Sequence, residues 1–414
     1  VNVAAAAPER AAVVIILAGV SAALHVAKLP PAIAALQAGL GISLLQAGFL
    51  LSLVQLAGMS AGVAFGALAD ALGLRRSMLL GLLLLSLASA IGGVARDLTS
   101  LLLLRAIEGF GFLLVVLPAP GLIRRLVAPQ RLSRVLGLWG TYMPFGAALA
   151  LLAGPVWIAA FGWRSWWWLL AGLSLAMALW LARAVPSAAA GTAALPMPWM
   201  QRLRQTLAAP GPWLVALTFA VYAGQWLAVI GFLPTIYLQA GLSGAATGAL
   251  TALAAAVNMA GNVVSGRLLQ AGTPPTRLLN IGFCTMGLTA VVAFAAVDGW
   301  ALPALLRYVA VLVFSLVGGL IPATLFSLAV RLAPSEQTLS TSVGWMQQWS
   351  AAGQFCGPPL VAWLASRSGG WQWTWVATGA CSLLGLMLAS RIGALLHRTA
   401  QAAALQDNAQ VGVR

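Results

Sequence analysis

Twelve long apolar runs separated by short polar breaks account for most of this chain. They lie near 11–36, 44–66, 77–95, 100–123, 134–158, 165–183, 212–238, 245–269, 277–297, 303–330, 338–364 and 372–392. A helix needs about 20 mostly apolar residues to cross roughly 30 Å of hydrocarbon, so each run predicts one membrane-spanning helix. The expected fold is all-α, a polytopic membrane protein with twelve transmembrane helices.

The polar breaks are of two kinds. Basic residues crowd every second one, including Arg10, Arg75, Arg76, Arg124, Arg125, Arg183, Arg202, Arg204, Arg267, Arg277, Arg331, Arg391 and Arg398. The alternate breaks hold only Arg96, Arg164 and Arg367, and Lys28, Arg105 and Arg307 fall inside apolar runs. Short loops retain Lys and Arg on the cytoplasmic side. This places both termini in the cytoplasm of a bacterial-type inner membrane. Trp157, Trp163, Trp166, Trp167, Trp168, Trp300, Trp363, Trp371, Trp373 and Trp375 then fall near the outer face, where amphipathic rings are favoured.

The chain also repeats itself. Gly137, Gly146, Gly162, Trp166 and Trp168 recur as Gly344, Gly353, Gly369, Trp373 and Trp375 at an offset of 207, and Leu132-Ser133 recurs as Leu339-Ser340. Leu29-Pro30 and Leu233-Pro234 match at a slightly smaller offset. Glycine permits close helix approach and Trp anchors an interface, so the two residue types mark different features of one repeated plan. The expectation is two pseudo-symmetric six-helix halves, 1–183 and 212–397, joined by a cytoplasmic linker, 184–211, and followed by a cytoplasmic tail, 398–414. Membrane repeats of this kind place a transport site near the bilayer midplane between them.

Composition removes other classes. With 22 basic residues against seven acidic ones the formal charge is +15, which in a soluble protein would suggest nucleic acid. Here the arginines are scattered over short loops where anionic lipid headgroups neutralise them, and no soluble domain presents a groove. No nucleic-acid partner is expected. Cys284, Cys356 and Cys381 each sit in an apolar run, so no disulfide framework is expected. The first run lacks the short apolar core and cleavage site of a signal peptide. Metal-ligand clusters, nucleophile motifs and phosphate-cradling loops are missing, so neither an enzyme nor a cofactor is expected.

Between the second and third runs stands Gly66-Ala-Leu-Ala-Asp70-Ala-Leu-Gly73-Leu-Arg75-Arg76. It resembles the signature loop of the major facilitator superfamily, with Ala71 and Leu74 in place of its usual basic residues. The fourth run carries Arg105-Ala-Ile-Glu108-Gly109-Phe-Gly111, similar to a second pattern of that superfamily with Glu108 where Gln is usual. The resemblance covers nearly the whole chain. It implies an alternating-access transporter in which Gly66, Asp70, Gly73, Arg75 and Arg76 form a gating loop, with Asp70 latching the halves in one state. Gly344 to Pro359 in run eleven, with its Gly357-Pro358-Pro359, resembles a helix of the cyanate and nitroimidazole branch, as does Lys28-Leu-Pro30-Pro31.

Ionisable groups in hydrocarbon persist where they face a cavity or a partner, which directs attention to a few residues. His25 and Lys28 are three apart on run one, hence on one face, as are Arg105 and Glu108 on run four. Glu108 is the one acid well inside a run and the first candidate to carry a coupling proton; His25, titrating near neutrality, is the second. Lys28, Arg105 and Arg307 against one acid imply a net-cationic cavity and a small anionic substrate. Tyr142, Tyr222, Gln225, Trp226, Asn258, Asn262 and Gln347 are candidate uncharged lining residues alongside His25. Gly58, Gly62 and Gly66, one every four residues, read as a close-packing and sliding surface. The expected function is secondary active transport of a small solute by a monomer in contact with membrane lipids; the alternative is a proton-antiport exporter of a drug or metabolite.

Overall fold

In the computed structural model the described residues are 3–60, 62, 64, 72–128, 135, 138–186, 198–297 and 300–411. They form fifteen principal helices. The first half comprises α1 (Val3–Ala27), α2 (Ile33–Leu40), α3 (Leu44–Ser52), α4 (Leu74–Gly92), α5 (Leu98–Val116), α6 (Ala119–Leu126) and α7 (Tyr142–Ala184). A linker helix, α8 (Trp199–Ala208), precedes the second half: α9 (Pro210–Gln239), α10 (Gly244–Gln270), α11 (Pro275–Phe294), α12 (Ala304–Gly318), α13 (Leu320–Arg331), α14 (Leu339–Ser368) and α15 (Thr374–Val411). A two-residue ladder, β1 (Ala296–Val297) with β2 (Trp300–Ala301), is the sole strand pairing among the described residues.

Nine described helical segments are long and apolar enough to cross a membrane. One of them, α7, is broken at Gly162 (φ 78°, ψ 162°) and therefore folds back to cross a second time. The apolar stretch Leu44–Ser60 and the 30-residue α14, whose Gln347, Gln348 and Gln354 lower its hydropathy, bring the architecture into line with twelve crossings. The protein is thus a multi-pass α-helical membrane protein. We call the face where α1 begins the terminal face.

The repeat is written into the turns. Among the described residues six glycines have positive φ, and they fall into three pairs, Gly41 with Gly241, Gly73 with Gly272, and Gly162 with Gly369. Each pair occupies corresponding turns of the two halves, where only a residue without Cβ enters the left-handed region at little cost. Two of these turns share a cap: Ser43 accepts from Gln46 N and Ser243 from Ala246 N, each two residues after its glycine.

Helix packing repeats as well. Lipid tails are as apolar as leucine, so close approach between small residues holds such bundles together. A methyl at Gly146 would come within 2.6 Å of Ala23, which seats the first crossing of α7 on α1. Its repeat partner Gly353 lies against Ala220, and a methyl on Gly224 would stand 2.6 Å from Gly353 O, seating α14 on α9.

The halves meet along two seams. In one, a methyl at Gly48 would meet Ala362 Cβ at 3.1 Å, at Gly58 Ala351 Cβ at 2.8 Å and at Gly62 Gln348 Cβ at 3.3 Å. Gly58 and Gly62 thus serve the close-packing role read from their spacing; Gly66 and Asp70 lie outside the described residues. Within this seam Gln55 Nε2 donates to Gln354 Oε1 at 3.1 Å. In the other, a methyl at Gly248 of α10 would come within 3.1 Å of Leu151 O and Leu152 O of α7. Gly48, Gly248 and the contact of Gly231 with Leu51 all lie toward the face opposite the termini, where the two halves are closed against each other.

Candidate functional site

The first half folds around a set of charges sealed from solvent. His25, Lys28, Arg105 and Glu108 are each at most 1% exposed. The three-residue spacing of each pair points both members of α1 and both members of α5 at one spot. Beyond Lys28, Pro30 and Pro31 end α1, and their missing N–H groups leave carbonyls available there.

Glu108 is the hub. Its Oε1 pairs with Lys28 Nζ and its Oε2 receives Arg105 Nη1 at 2.6 Å. His25 Nδ1 stands 3.7 Å from Oε1. Arg105 is braced by backbone: Nη1 donates to His25 O at 2.7 Å and Nε to Leu50 O at 3.1 Å. Lys28 also donates to Ser89 Oγ at 2.9 Å, and its ammonium lies 4.6 Å from the centre of the Trp167 ring. Ser89 Oγ in turn donates to Trp167 O, while Trp166 Nε1 donates to Lys28 O at 3.1 Å. His25 Nε2 is held by Ser174 Oγ at 2.7 Å, which also meets Ser21 at 3.1 Å.

Buried charges tolerate their desolvation only when paired and hydrogen-bonded. The pairing here is nearly complete but unequal: two cations share one carboxylate. Two polar atoms of the cluster, His25 Nδ1 and Arg105 Nη2, are buried with no hydrogen-bond partner. All the described partners of the cluster belong to the first half.

The other predicted residues lie elsewhere. Arg307 sits on α12, where its Nε donates to Ala293 O at 2.6 Å, so it does not join the other two cations. Tyr142 stacks on Trp139 at 4.5 Å. In the second half Asn258 Nδ2 donates to Tyr222 Oη at 3.1 Å and to Ser315 O at 2.8 Å, and Asn262 Nδ2 donates to Asn258 Oδ1 at 3.1 Å. Trp226 Nε1 donates to Ser315 Oγ at 3.1 Å. Gln225 turns toward α15 and accepts from Ser382 Oγ at 3.2 Å. Gln347 is half-buried on α14. At the described end of the loop motif, Gly73 has φ 85°, and Arg75 Nε and Nη2 donate to Val185 O and Ala182 O at 2.7 and 2.6 Å. Arg75 therefore closes the carbonyl end of α7, while Arg76 is exposed.

Sequence reasoning missed Ser21, Ser89, Ser174 and the inward role of Trp166 and Trp167. The tryptophans were read as outer-interface anchors, yet Trp166 and Trp167 are fully buried beneath Lys28, while Trp168, Trp363 and Trp373 remain exposed at the rim. An isolated serine in an apolar run gives no sign of whether it ligates a charge or bonds its own helix.

The family model of the Major Facilitator Superfamily matches residues 12–349. Among curated proteins, Bacillus subtilis NiaP, a candidate niacin/nicotinamide transporter, is 32% identical over 130 residues, covering 31% of this chain and 32% of that protein. The puromycin resistance protein pur8 of Streptomyces alboniger is 37% identical over 100 residues, 24% of this chain and 20% of its own length. Multidrug resistance protein 3 of Bacillus subtilis is 28% identical over 100 residues, again 24% and 20%. The matched stretch thus spans a third or less of each of these relatives. Among solved structures, a bacterial homologue of the human lysosomal transporter Spinster, inward-facing and unoccupied, superposes with a TM-score of 0.74 at 15% identity over 95% of this chain and 97% of that one. Its occupied form gives 0.72 at 16% identity, covering 94% and 96%. At such identity the likeness establishes the fold.

Proposed function

The chain belongs to the major facilitator superfamily, and on that footing we propose that it is a proton-coupled secondary carrier of a small anionic solute. It works by alternating access in a bacterial-type inner membrane, with the terminal face cytoplasmic. The halves, 1–183 and 212–397, rock about the two glycine seams, and 184–211 joins them.

One observation carries this reading: Lys28 and Arg105 share the single carboxylate of Glu108 in a fully buried site. With His25 neutral the cluster holds one positive charge in excess, which the low-dielectric interior penalises. An arriving anion relieves that excess, and so does a departing proton. Two events that relieve the same field are energetically linked, which is the requirement for coupling. Arg105 Nη2 supplies an unused forked donor suited to a carboxylate. His25 Nδ1, unpartnered and facing Glu108, supplies a place for a proton whose arrival draws the two groups together. The neutral set Tyr222, Asn258 and Asn262 would orient the uncharged part of the solute from the second half.

The kinship with NiaP nominates a matched pair of probes, nicotinate and its neutral amide nicotinamide. In proteoliposomes with an acidic outer medium, labelled nicotinate or another small carboxylate should accumulate, nicotinamide should not, and Lys28→Ala should abolish the difference. Equal handling of acid and amide, or unchanged anion uptake in Lys28→Ala, rejects the anion reading. A second reading, proton-antiport export of a drug or metabolite, is favoured by the resistance proteins among the relatives. It predicts instead that a hydrophobic amine such as puromycin is moved against an opposite proton gradient.

A further inference from the structure

The turns at the terminal face are duplicated, but what fills the space beside them is not. In the first half Arg75 stands two residues past Gly73 and spans the gap from the start of α4 to Ala182 O and Val185 O at the end of α7. In the second half the matching turn at Gly272 has Pro274 at that station, and proline has no side chain to span the gap. α15, which answers the second crossing of α7, also runs on to Val411. Its carbonyls at this level are taken by its own helix, so a brace would find no acceptor there.

At this level the second half has instead a cavity of about 490 Å³, a volume in the range of small-molecule sites. Its walls come from the α10–α11 turn, the end of α13 and the α15 turn 393–397. α11 and α15 close on each other beside it, where a methyl on Gly393 would stand 3.4 Å from Thr276 Cγ2. Arg331, His397, Thr273, Thr276 and Ser327 make the polar wall. None of these five side chains has a hydrogen-bond or ion-pair partner among the described residues. Their chemistry is one-sided: Arg331 only donates, and the imidazole and the three hydroxyls can each donate. No carboxylate of the described residues lines the cavity, while Leu269 and Leu396 supply an apolar wall. Arg331 and His397 are exposed, so the cavity is reached from the terminal face.

We propose that this cavity binds a phosphate-bearing ligand, with Arg331 and His397 holding the phosphate between α13 and α15 and the hydroxyls donating to its oxygens. The source is an anionic phospholipid of the adjoining leaflet or a soluble phosphate ester. Basic cavities between membrane helices at the cytoplasmic side take headgroups of this kind. Once bound, the ligand ties the start of α11 to α13 and α15, the part that Arg75 plays between α4 and α7. The site stands apart from the Glu108 cluster, and its failure would leave the transport reading untouched.

Thermal unfolding of the purified full chain in a neutral detergent tests this, with short-chain phosphatidylglycerol in one arm, glycerol 3-phosphate in another and chloride at matched ionic strength as reference. A saturable rise in Tm with lipid alone assigns the site to a headgroup, and a comparable rise with glycerol 3-phosphate assigns it to a soluble ester. Arg331→Gln should weaken the apparent affinity about tenfold, the scale of one charge-assisted hydrogen bond. Arg277→Gln removes the same charge one residue past Thr276 but outside the cavity wall, and should leave the affinity unchanged. The proposal is overturned by no saturable shift beyond chloride in either arm, by an undiminished response in Arg331→Gln, or by an equal loss in Arg331→Gln and Arg277→Gln. Should Arg331→Gln not fold, His397→Gln carries the same comparison.

Discussion

The two halves share their packing and differ in their charge. Gly146 and Gly353 seat equivalent helices, and Gly162 and Gly369 turn equivalent corners. At the stations of the cluster the correspondence stops. Carried across at the offset of 207, Glu108 falls on Ser315 and Arg105 on Leu312, and at the offset of 204 that relates Leu29-Pro30 to Leu233-Pro234, His25 and Lys28 fall on Val229 and Phe232. Phe232 is fully buried and packs on Trp371, with ring centroids 5.1 Å apart. A bundle that folds around Ser315 and Phe232 has no architectural need for Glu108 and Lys28. That asymmetry is the reason for the coupling role proposed for the charges of the first half, whose burial is offset by mutual pairing and by the serines and tryptophans around them.

Substitution at matched stations breaks this comparison most sharply. Glu108→Ala leaves Lys28 and Arg105 buried without their carboxylate and should destabilise the protein by about 3–5 kcal/mol. Ser315→Ala at the matching station should cost about 1 kcal/mol. Denaturant unfolding in mixed micelles gives both values, and losses of equal size would erase the asymmetry. Next in size are Gly146→Val and Gly353→Val, each overpacking a helix contact by about 1–3 kcal/mol. Both should lose stability, Gly353→Val the more, because its added carbon meets the backbone of Ala220 where that of Gly146 first meets the Ala23 side chain; a loss in one half alone would show that the repeat is only superficial. The smallest effect concerns the helix starts. Asp97 caps α5 by accepting from Ser100 N at 2.8 Å, and this backbone bond, with that from the Ser100 hydroxyl, holds its carboxyl below the ordinary range. Its folded-state value being depressed, the contribution is present above the ordinary carboxylate range and lost as pH falls through the lowered one. The matching helix α12 begins at Pro303, which offers no side-chain cap. Asp97→Asn should therefore flatten a shallow acid slope in Tm, and a slope unchanged by the substitution would assign it to another group.

Crossings and repeat were legible because both are long-range patterns: about 20 apolar residues per crossing, and Gly and Trp recurring at one offset. Helix rotation was not. In a membrane the lipid-facing and protein-facing sides are both apolar, so periodicity does not say which side turns inward. Ionisable groups break that degeneracy. His25, Lys28, Arg105 and Glu108 were expected on shared faces, and they do meet. Arg307 shows the limit of the same reasoning, since a cation at the end of a span is equally at home on a carbonyl such as Ala293 O. Neutral partners such as Ser89 and Trp167 stayed hidden because nothing in a run of Leu, Ala and Ser sets them apart. The Gly-x-Ser turns, Gly41-Ile42-Ser43 and Gly241-Leu242-Ser243, were in plain view and became meaningful once positive φ and the serine caps were seen together.

The central claim is that protonation within the Glu108 cluster drives transport. Its most direct test reconstitutes Glu108→Gln beside the unaltered protein in liposomes and follows a transported solute under an imposed pH gradient and in gradient-free counterflow. The account predicts that Glu108→Gln loses accumulation against the gradient while retaining exchange. Accumulation equal to that of the unaltered protein would contradict it.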